Sequence, residues 1–135
     1  MCIAQQSHER RTEASVRVLI VEDDETFCAF LMQILEGQGH EVVCATDSLD
    51  GYQKAWSYSY ELIILDVRMP GLLGTEIAAA LKQKNPSAKI ILISAFADAV
   101  LREAASNLGT PVLSKPFSPA ELFQAIDNTM SEHEG

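Results

Sequence analysis

The chain has 135 residues, 47% of them hydrophobic, with 19 acidic against 10 basic side chains and a formal net charge of −9. That length and composition suit one globular domain with a real core and exclude a disordered chain. The negative balance argues against nucleic acid or an anionic membrane as the direct partner.

Residues 1–15 are polar and carry no apolar stretch of the kind a secretory signal needs. They read as a flexible N-terminal extension. Val16–Val21 is a continuous apolar strand broken only by Arg17, fit to be buried on both faces. Glu22, Asp23 and Asp24 follow it directly. Phe27, Phe30, Leu31, Ile34 and Leu35 then recur at helical spacing and predict one buried helix face, which Gly37 and Gly39 end. Val42–Ala45 is a second strand. Ser48 is expected to cap a helix carrying Tyr52, Ala55 and Trp56.

Leu62–Leu65 is a third strand, followed at once by Asp66. Pro70, Gly71 and Gly74 mark a loop, and Thr75–Lys84 is a helix stopped by Asn85-Pro86. Ile90–Ile93 is a fourth strand that runs into Ser94. Ala97–Leu108 is an alanine-rich helix with Gly109 as its C-terminal stop. Its few large apolar side chains mark it as the least firmly packed helix. Val112–Leu113 is a short fifth strand leading to Lys115. Ser118, Pro119 and Glu121 form the start signature of a last helix, with Leu122, Phe123, Ile126 and Met130 as its buried stripe. Residues 16–131 are thus expected to fold as one domain, and 132–135 to form a flexible tail.

Strands joined by helices of this length run parallel with right-handed crossovers. The expected fold is a (βα)5 doubly wound α/β sheet, of flavodoxin-like order 2-1-3-4-5, with helices on both faces. In that order the first and third strands flank the switch point, where ligands bind outside the carboxyl ends of strands. Glu22, Asp23, Asp66, Ser94 and Lys115 all fall at such ends.

Carboxylates brought that close repel unless a cation joins them. Oxygen ligands with incomplete protein coordination point to Mg2+, which keeps waters and accepts a phosphate oxygen. Glu22, Asp23 and Asp66 supply three negative charges, which Mg2+ and Lys115 together balance. Lys115 is a point charge suited to phosphate, and Ser94 adds a hydroxyl. A carboxylate here has the means to attack phosphorus and form an acyl phosphate. Asp24 reads as a helix cap. Cys28 and Cys44 read as small core hydrophobes, the three cysteines have no metal-like spacing, and His8, His40 and His133 have no partner spacing. No apolar run reaches the roughly 18 residues a membrane helix needs. A cytoplasmic location is expected.

The residues Val18–Asp24 resemble the first strand and acidic pair of response-regulator receiver domains (CheY-like, two-component signalling). Leu62–Gly71, with Gly74, is similar to the phosphoacceptor segment, Ile91–Ala95 to the segment with the switching hydroxyl, and Ser114–Pro119 to the lysine turn of that family. The resemblance covers about residues 16–131. It implies that Asp66 takes a phosphoryl group from a histidine of a sensor kinase or phosphotransfer domain, in a phosphorelay. It implies that Asp23, Asp66 and the backbone carbonyl of Arg68 bind Mg2+ directly and Glu22 through water. Ser94 and Lys115 then hold the phosphoryl oxygens, and the peptide before Pro116 is cis. Phosphorylation would draw Ser94 inward and change the face of the helix at 97–108, which an unknown downstream protein reads.

Three departures from that pattern stand out. Val112 occupies the place where an aromatic residue usually precedes the lysine by three, and Phe96 is the candidate substitute ring. The stretch from Gly109 to Lys115 is one residue short. The second helix and its loop are shorter by about three residues than the common pattern. Arg68 and Phe96 flank the site and are expected to tune phosphoryl lifetime. Two other functions compete. An aspartyl-phosphate phosphatase or phosphotransferase would want a second Asp two residues after the nucleophile, where Arg68 stands. A receiver-like scaffold that is never phosphorylated would not need the full acidic, hydroxyl and lysine set.

Overall fold

The computed structural model describes residues 15–131, so the expectations for residues 1–14 and 132–135, with Cys2, His8 and His133, lie outside the described residues. Ten elements alternate along it. They are β1 (Arg17–Val21), α1 (Glu25–Gly37), β2 (Glu41–Ala45), α2 (Ser48–Ser57), β3 (Leu62–Asp66), α3 (Gly74–Lys84), β4 (Ile90–Ser94), α4 (Ala99–Leu108), β5 (Val112–Ser114) and α5 (Pro119–Ser131). All strand pairs are parallel, in the order β2-β1-β3-β4-β5. The expected sheet and its order are therefore present.

Each strand alternates its side chains between two cores. Val18, Ile20, Leu62, Ile64, Ile91 and Ile93 meet α1 and α5 on one face. Leu19, Val21, Ile63, Leu65, Ile90 and Leu92 meet α3 and α4 on the other, with α2 residues Tyr52 and Ala55 against them. Burial on both faces explains why β3 and β4 have no exposed position and read as unbroken apolar runs. The register pairs Val21 with Leu65, Asp66 with Ile93 and Ser94 with Ser114. The carboxyl ends of β1, β3, β4 and β5 thus finish side by side.

Three local expectations are corrected. The buried side chains of α1 are Cys28, Leu31 and Leu35, whereas Phe30 is 45% exposed. The helix is rolled so that the small Cys28 faces the sheet and lets the backbone approach, while Phe27 and Ile34 flank the stripe. The N-cap of α2 is Asp47, whose carboxylate accepts from the Asp50 N–H at 3.2 Å. Ser48 instead ties two loops together: its Oγ donates to the Pro70 carbonyl at 2.9 Å and accepts from the Leu72 N–H at 3.0 Å. Helix α4 starts at Ala99, because Asp98 caps it by accepting from the Leu101 N–H at 2.9 Å. Trp56 lies at a helix edge, 44% exposed, with the Lys84 ammonium over its ring at 4.1 Å.

Other local signals read true. Gly109 takes the left-handed conformation, φ +72°, that ends α4. Ser118 and Glu121 form the reciprocal cap of α5, at 3.1 Å and 2.8 Å. Cys28 is buried and Cys44 half-buried in the same core, with the Cys44 thiol donating to the Cys28 carbonyl at 3.5 Å. His40 is structural, its Nδ1 accepting from the Val16 N–H at 3.1 Å. Among the described residues, no helix is long and apolar enough to cross a membrane.

Candidate functional site

Parallel strands deliver their last residues to one rim, and that rim carries the polar groups. Glu22 follows β1; its N–H donates to the Ala45 carbonyl at 3.0 Å, so the chain is still held as if in the sheet. Its side chain is buried and held at both oxygens. Oε2 accepts from the Asp24 N–H at 3.0 Å, and Oε1 from the Lys115 ammonium at 2.7 Å. Asp23 is exposed beside it, and Asp24 caps α1 by accepting from the Phe27 N–H at 3.1 Å.

Asp66 is the last residue of β3 and is buried. One carboxylate oxygen from each of Glu22, Asp23 and Asp66 falls within 4.8 Å of the others. That spacing suits oxygen ligands around a single small cation. Lys115 closes the cluster. Its N–H donates to the Ser94 carbonyl at 2.8 Å, and its ammonium lies 3.7 Å from Asp66 Oδ1. The Lys115–Pro116 peptide is cis, as the resemblance implied.

The electrostatics describe a site short of positive charge. Burial pushes the Asp66 carboxyl up to about 7; repulsion from Glu22 adds to this, and Lys115 and the Arg68 backbone N–H oppose it. Asp23 is also raised, first by desolvation and then by its hydrogen bond and charge contact with Glu22. One ammonium does not offset three acids.

Ser94 ends β4 and is buried, its Oγ accepting from the Phe96 N–H at 3.0 Å. That bond uses the oxygen as acceptor and leaves the hydroxyl proton to donate. Arg68 follows β3 by two residues, exposed, with its guanidinium over the Phe96 ring at 5.6 Å. Phe96 is 61% exposed. In this structure the candidate substitute ring, Phe96, faces out and carries Arg68. Val112 is half-buried against the core on the α4 side.

Two further residues shape the site. Phe27 was expected only as core, yet its ring lies 4.6 Å from the Lys115 ammonium. An aromatic residue at helical spacing gives no sign that one edge of its helix borders a charge cluster. Gly74 is expected as a loop glycine that goes with the phosphoacceptor segment, and the structure gives it a steric role there. A Cβ there would meet the Asp66 carbonyl oxygen at 2.4 Å and Val67 Cα at 2.9 Å. Its N–H donates to the Val67 carbonyl at 3.0 Å. The absent side chain lets α3 begin against the backbone that carries Asp66.

The site thus joins three acids and a lysine at the switch point of a five-stranded parallel sheet. The family model for the response regulator receiver domain matches residues 18–127, and the chain belongs to that family. It is 36% identical over 111 residues to response regulator ArlR of Staphylococcus aureus, an alignment covering 82% of this chain and 50% of that protein. The chain spans about half the length of the curated relatives it matches. Among solved structures, a CheY-like receiver domain protein from Methanospirillum hungatei superposes with a TM-score of 0.82 at 29% identity, covering 87% of this chain and 95% of that one. The response regulator TrrA of Thermotoga maritima, solved in complex with Mg2+ and BeF, gives a TM-score of 0.75 at 30% identity, covering 84% and 97%. The chain is thus a receiver domain of the two-component response regulators, whose role is that of a phosphoacceptor signalling module.

Proposed function

We propose that Asp66 is the phosphoacceptor, taking its phosphoryl group from a histidine of a sensor kinase or phosphotransfer domain. The observation that carries this is the placement of the buried Asp66 carboxylate within reach of Glu22, Asp23 and the Lys115 ammonium at one rim. The acid trio fits Mg2+: the donors are all oxygens, and too few to fill its coordination sphere. Asp23, Asp66 and the Arg68 backbone carbonyl would hold the ion directly, and Glu22 through water. When bound, Mg2+ neutralises charge on the phosphoryl oxygens.

The chain's own residues do the rest. An Asp66 oxygen attacks phosphorus, the phosphorus–nitrogen bond of the donor histidine breaks, and that bond's electron pair leaves with the imidazole. Lys115 turns from Glu22 toward a phosphoryl oxygen. Ser94 donates its free hydroxyl proton to another. To do so it moves toward Asp66 and draws on the Phe96 N–H that its oxygen holds. The loop from Ala95 to Asp98, and with it α4, shifts. Helix α4 buries only Leu101 and Ala105, so it is loosely held.

The reading favours a cytoplasmic domain, residues 16–131, that reacts only on itself and acts through a protein partner. A phosphatase is less well supported. At Arg68 the chain offers a guanidinium engaged with Phe96, where a general acid would be needed. A scaffold that is never phosphorylated leaves the placement of Ser94 and Lys115 without a use.

Intact mass after incubation with Mg2+ and an acyl-phosphate donor tests the reading. Wild type is expected to gain one phosphoryl group and Asp66→Asn none. An unmodified wild type, or equal gain by the variant, overturns it.

A further inference from the structure

Lys115 has three neighbours at its ammonium: Glu22 at 2.7 Å, Asp66 at 3.7 Å and the face of Phe27 at 4.6 Å from the ring centroid. The side chain is 20% exposed, so water lies on its remaining side. The carboxylates draw the ammonium into the site. The ring is an apolar wall with a negative face that attracts it from another side.

Phe27 is itself firmly placed. It stands in the first turn of α1, where its N–H donates to the Asp24 cap. Its ring meets Phe117 edge to face, with centroids 5.7 Å apart and planes at 77°. Phe117 lies two residues beyond Lys115. The ring therefore touches both the ammonium and the turn that carries it.

We propose that Phe27 is a positioning residue for Lys115, holding the ammonium beside Asp66 when the lysine exchanges Glu22 for a phosphoryl oxygen. The inference rests on the phosphoacceptor reading of Asp66. In this structure Glu22 makes the shortest contact with Lys115. When the carboxylates engage a cation, that ion pair weakens, and a long flexible side chain beside solvent gains freedom. The ring attracts the ammonium in both situations, because it shares no ligand role with the acids. It keeps the charge where the phosphoryl oxygens arrive and limits the rotamer freedom lost at that moment.

The test compares two ringless variants, Phe27→Leu and Phe27→Met, with Phe27→Tyr, which keeps the aromatic face. Three properties are read in the full chain: mass gain over time with an acyl-phosphate donor at saturating Mg2+, affinity for beryllium fluoride with Mg2+, and the NMR shifts of the Lys115 ε-protons. Both ringless variants are expected to react about three- to tenfold more slowly and to bind beryllium fluoride weaker by a similar factor. Their Mg2+ midpoint is expected to stay at the wild-type value, since the ring faces the ammonium and the Phe30 and Phe117 rings. Phe27→Tyr is expected to restore rate and affinity. The Lys115 ε-protons should lie upfield in wild type and Tyr and return to ordinary values in Leu and Met.

Rates and affinities like wild type in both ringless variants overturn the proposal. So does an equal fall in all three variants, or in Mg2+ affinity and rate together, since that marks a packing effect only. If wild type reacts and the ringless variants match it, the role of Phe27 alone is lost. If wild type gains no phosphoryl group, the reading of Asp66 falls and this proposal with it.

Discussion

Glu22 has both of its oxygens engaged, one by the Asp24 N–H and one by Lys115, while Asp23 beside it is exposed and raised in pKa. The two acids therefore differ in what they cost the fold. Asp23 adds negative charge to a cluster that already exceeds its one ammonium. Its exposure lets water screen most of that repulsion, so the effect is about 0.5 kcal/mol, near that of an exposed charge pair. In chelator, Asp23→Asn is expected to raise the melting temperature by about 2–3 °C. With Mg2+ in excess the order should reverse if, as proposed, Asp23 is one of the ion's ligands. Thermal unfolding followed by circular dichroism in both conditions checks this. A fall in melting temperature in chelator would mean that Asp23 makes a favourable contact outweighing repulsion from Glu22.

At the scale of elements, the site depends on how closely α3 approaches β3. Gly74 opens α3 with the Asp66 carbonyl where a Cβ would be, and backbone cannot swing aside as a side-chain end can. The Glu76 carboxylate closes the same turn by accepting from the Leu73 N–H at 3.0 Å. Gly74→Ala is therefore expected to push the helix start from the strand end, costing about 1–3 kcal/mol. Because the displaced backbone belongs to Asp66, Mg2+ affinity should fall as well. Urea unfolding together with a Mg2+ titration reads both. A destabilised variant with unchanged Mg2+ affinity would show that the strand end holds its place without the helix. Loop length and glycine content in this region are plain in the sequence. Which glycine is sterically required depends on contacts between Gly74 and residues 66 and 67, which spacing alone does not give.

For the molecule as a whole, the acid cluster links stability to pH and to cation concentration. The Asp66 carboxyl is harder to ionise in the fold, at about 7, than in the unfolded chain, where it has its ordinary value of 3.8. Below about pH 4 both states hold the proton and the group contributes nothing to pH dependence. Between about 4 and 7 the unfolded chain ionises while the fold retains its proton, so stability falls as pH rises. Above about 7 the loss is complete and level. Without metal, the melting temperature of wild type minus that of Asp66→Asn should therefore decline from pH 4 to pH 7 and flatten beyond. In the proposed site Mg2+ would bind the ionised form, so the rise in melting temperature at a fixed high Mg2+ concentration should grow over the same interval. A difference that stays flat with pH in chelator would show that Asp66 ionises normally.

The order of strands and helices follows from the sequence alone, because the two apolar periods and the capping residues are local properties of the chain. Parallel connection follows from element length, and the rim where Asp66, Glu22 and Lys115 meet follows from the topology that parallel connection imposes. Phe30 turning outward, Ser48 bridging loops instead of capping, Phe96 facing solvent and Phe27 facing Lys115 were decided only by tertiary structure. In each case the residue type and spacing allowed two environments. The roll of a helix against the sheet, or the docking of one loop on another, chose between them through contacts among residues far apart in the chain.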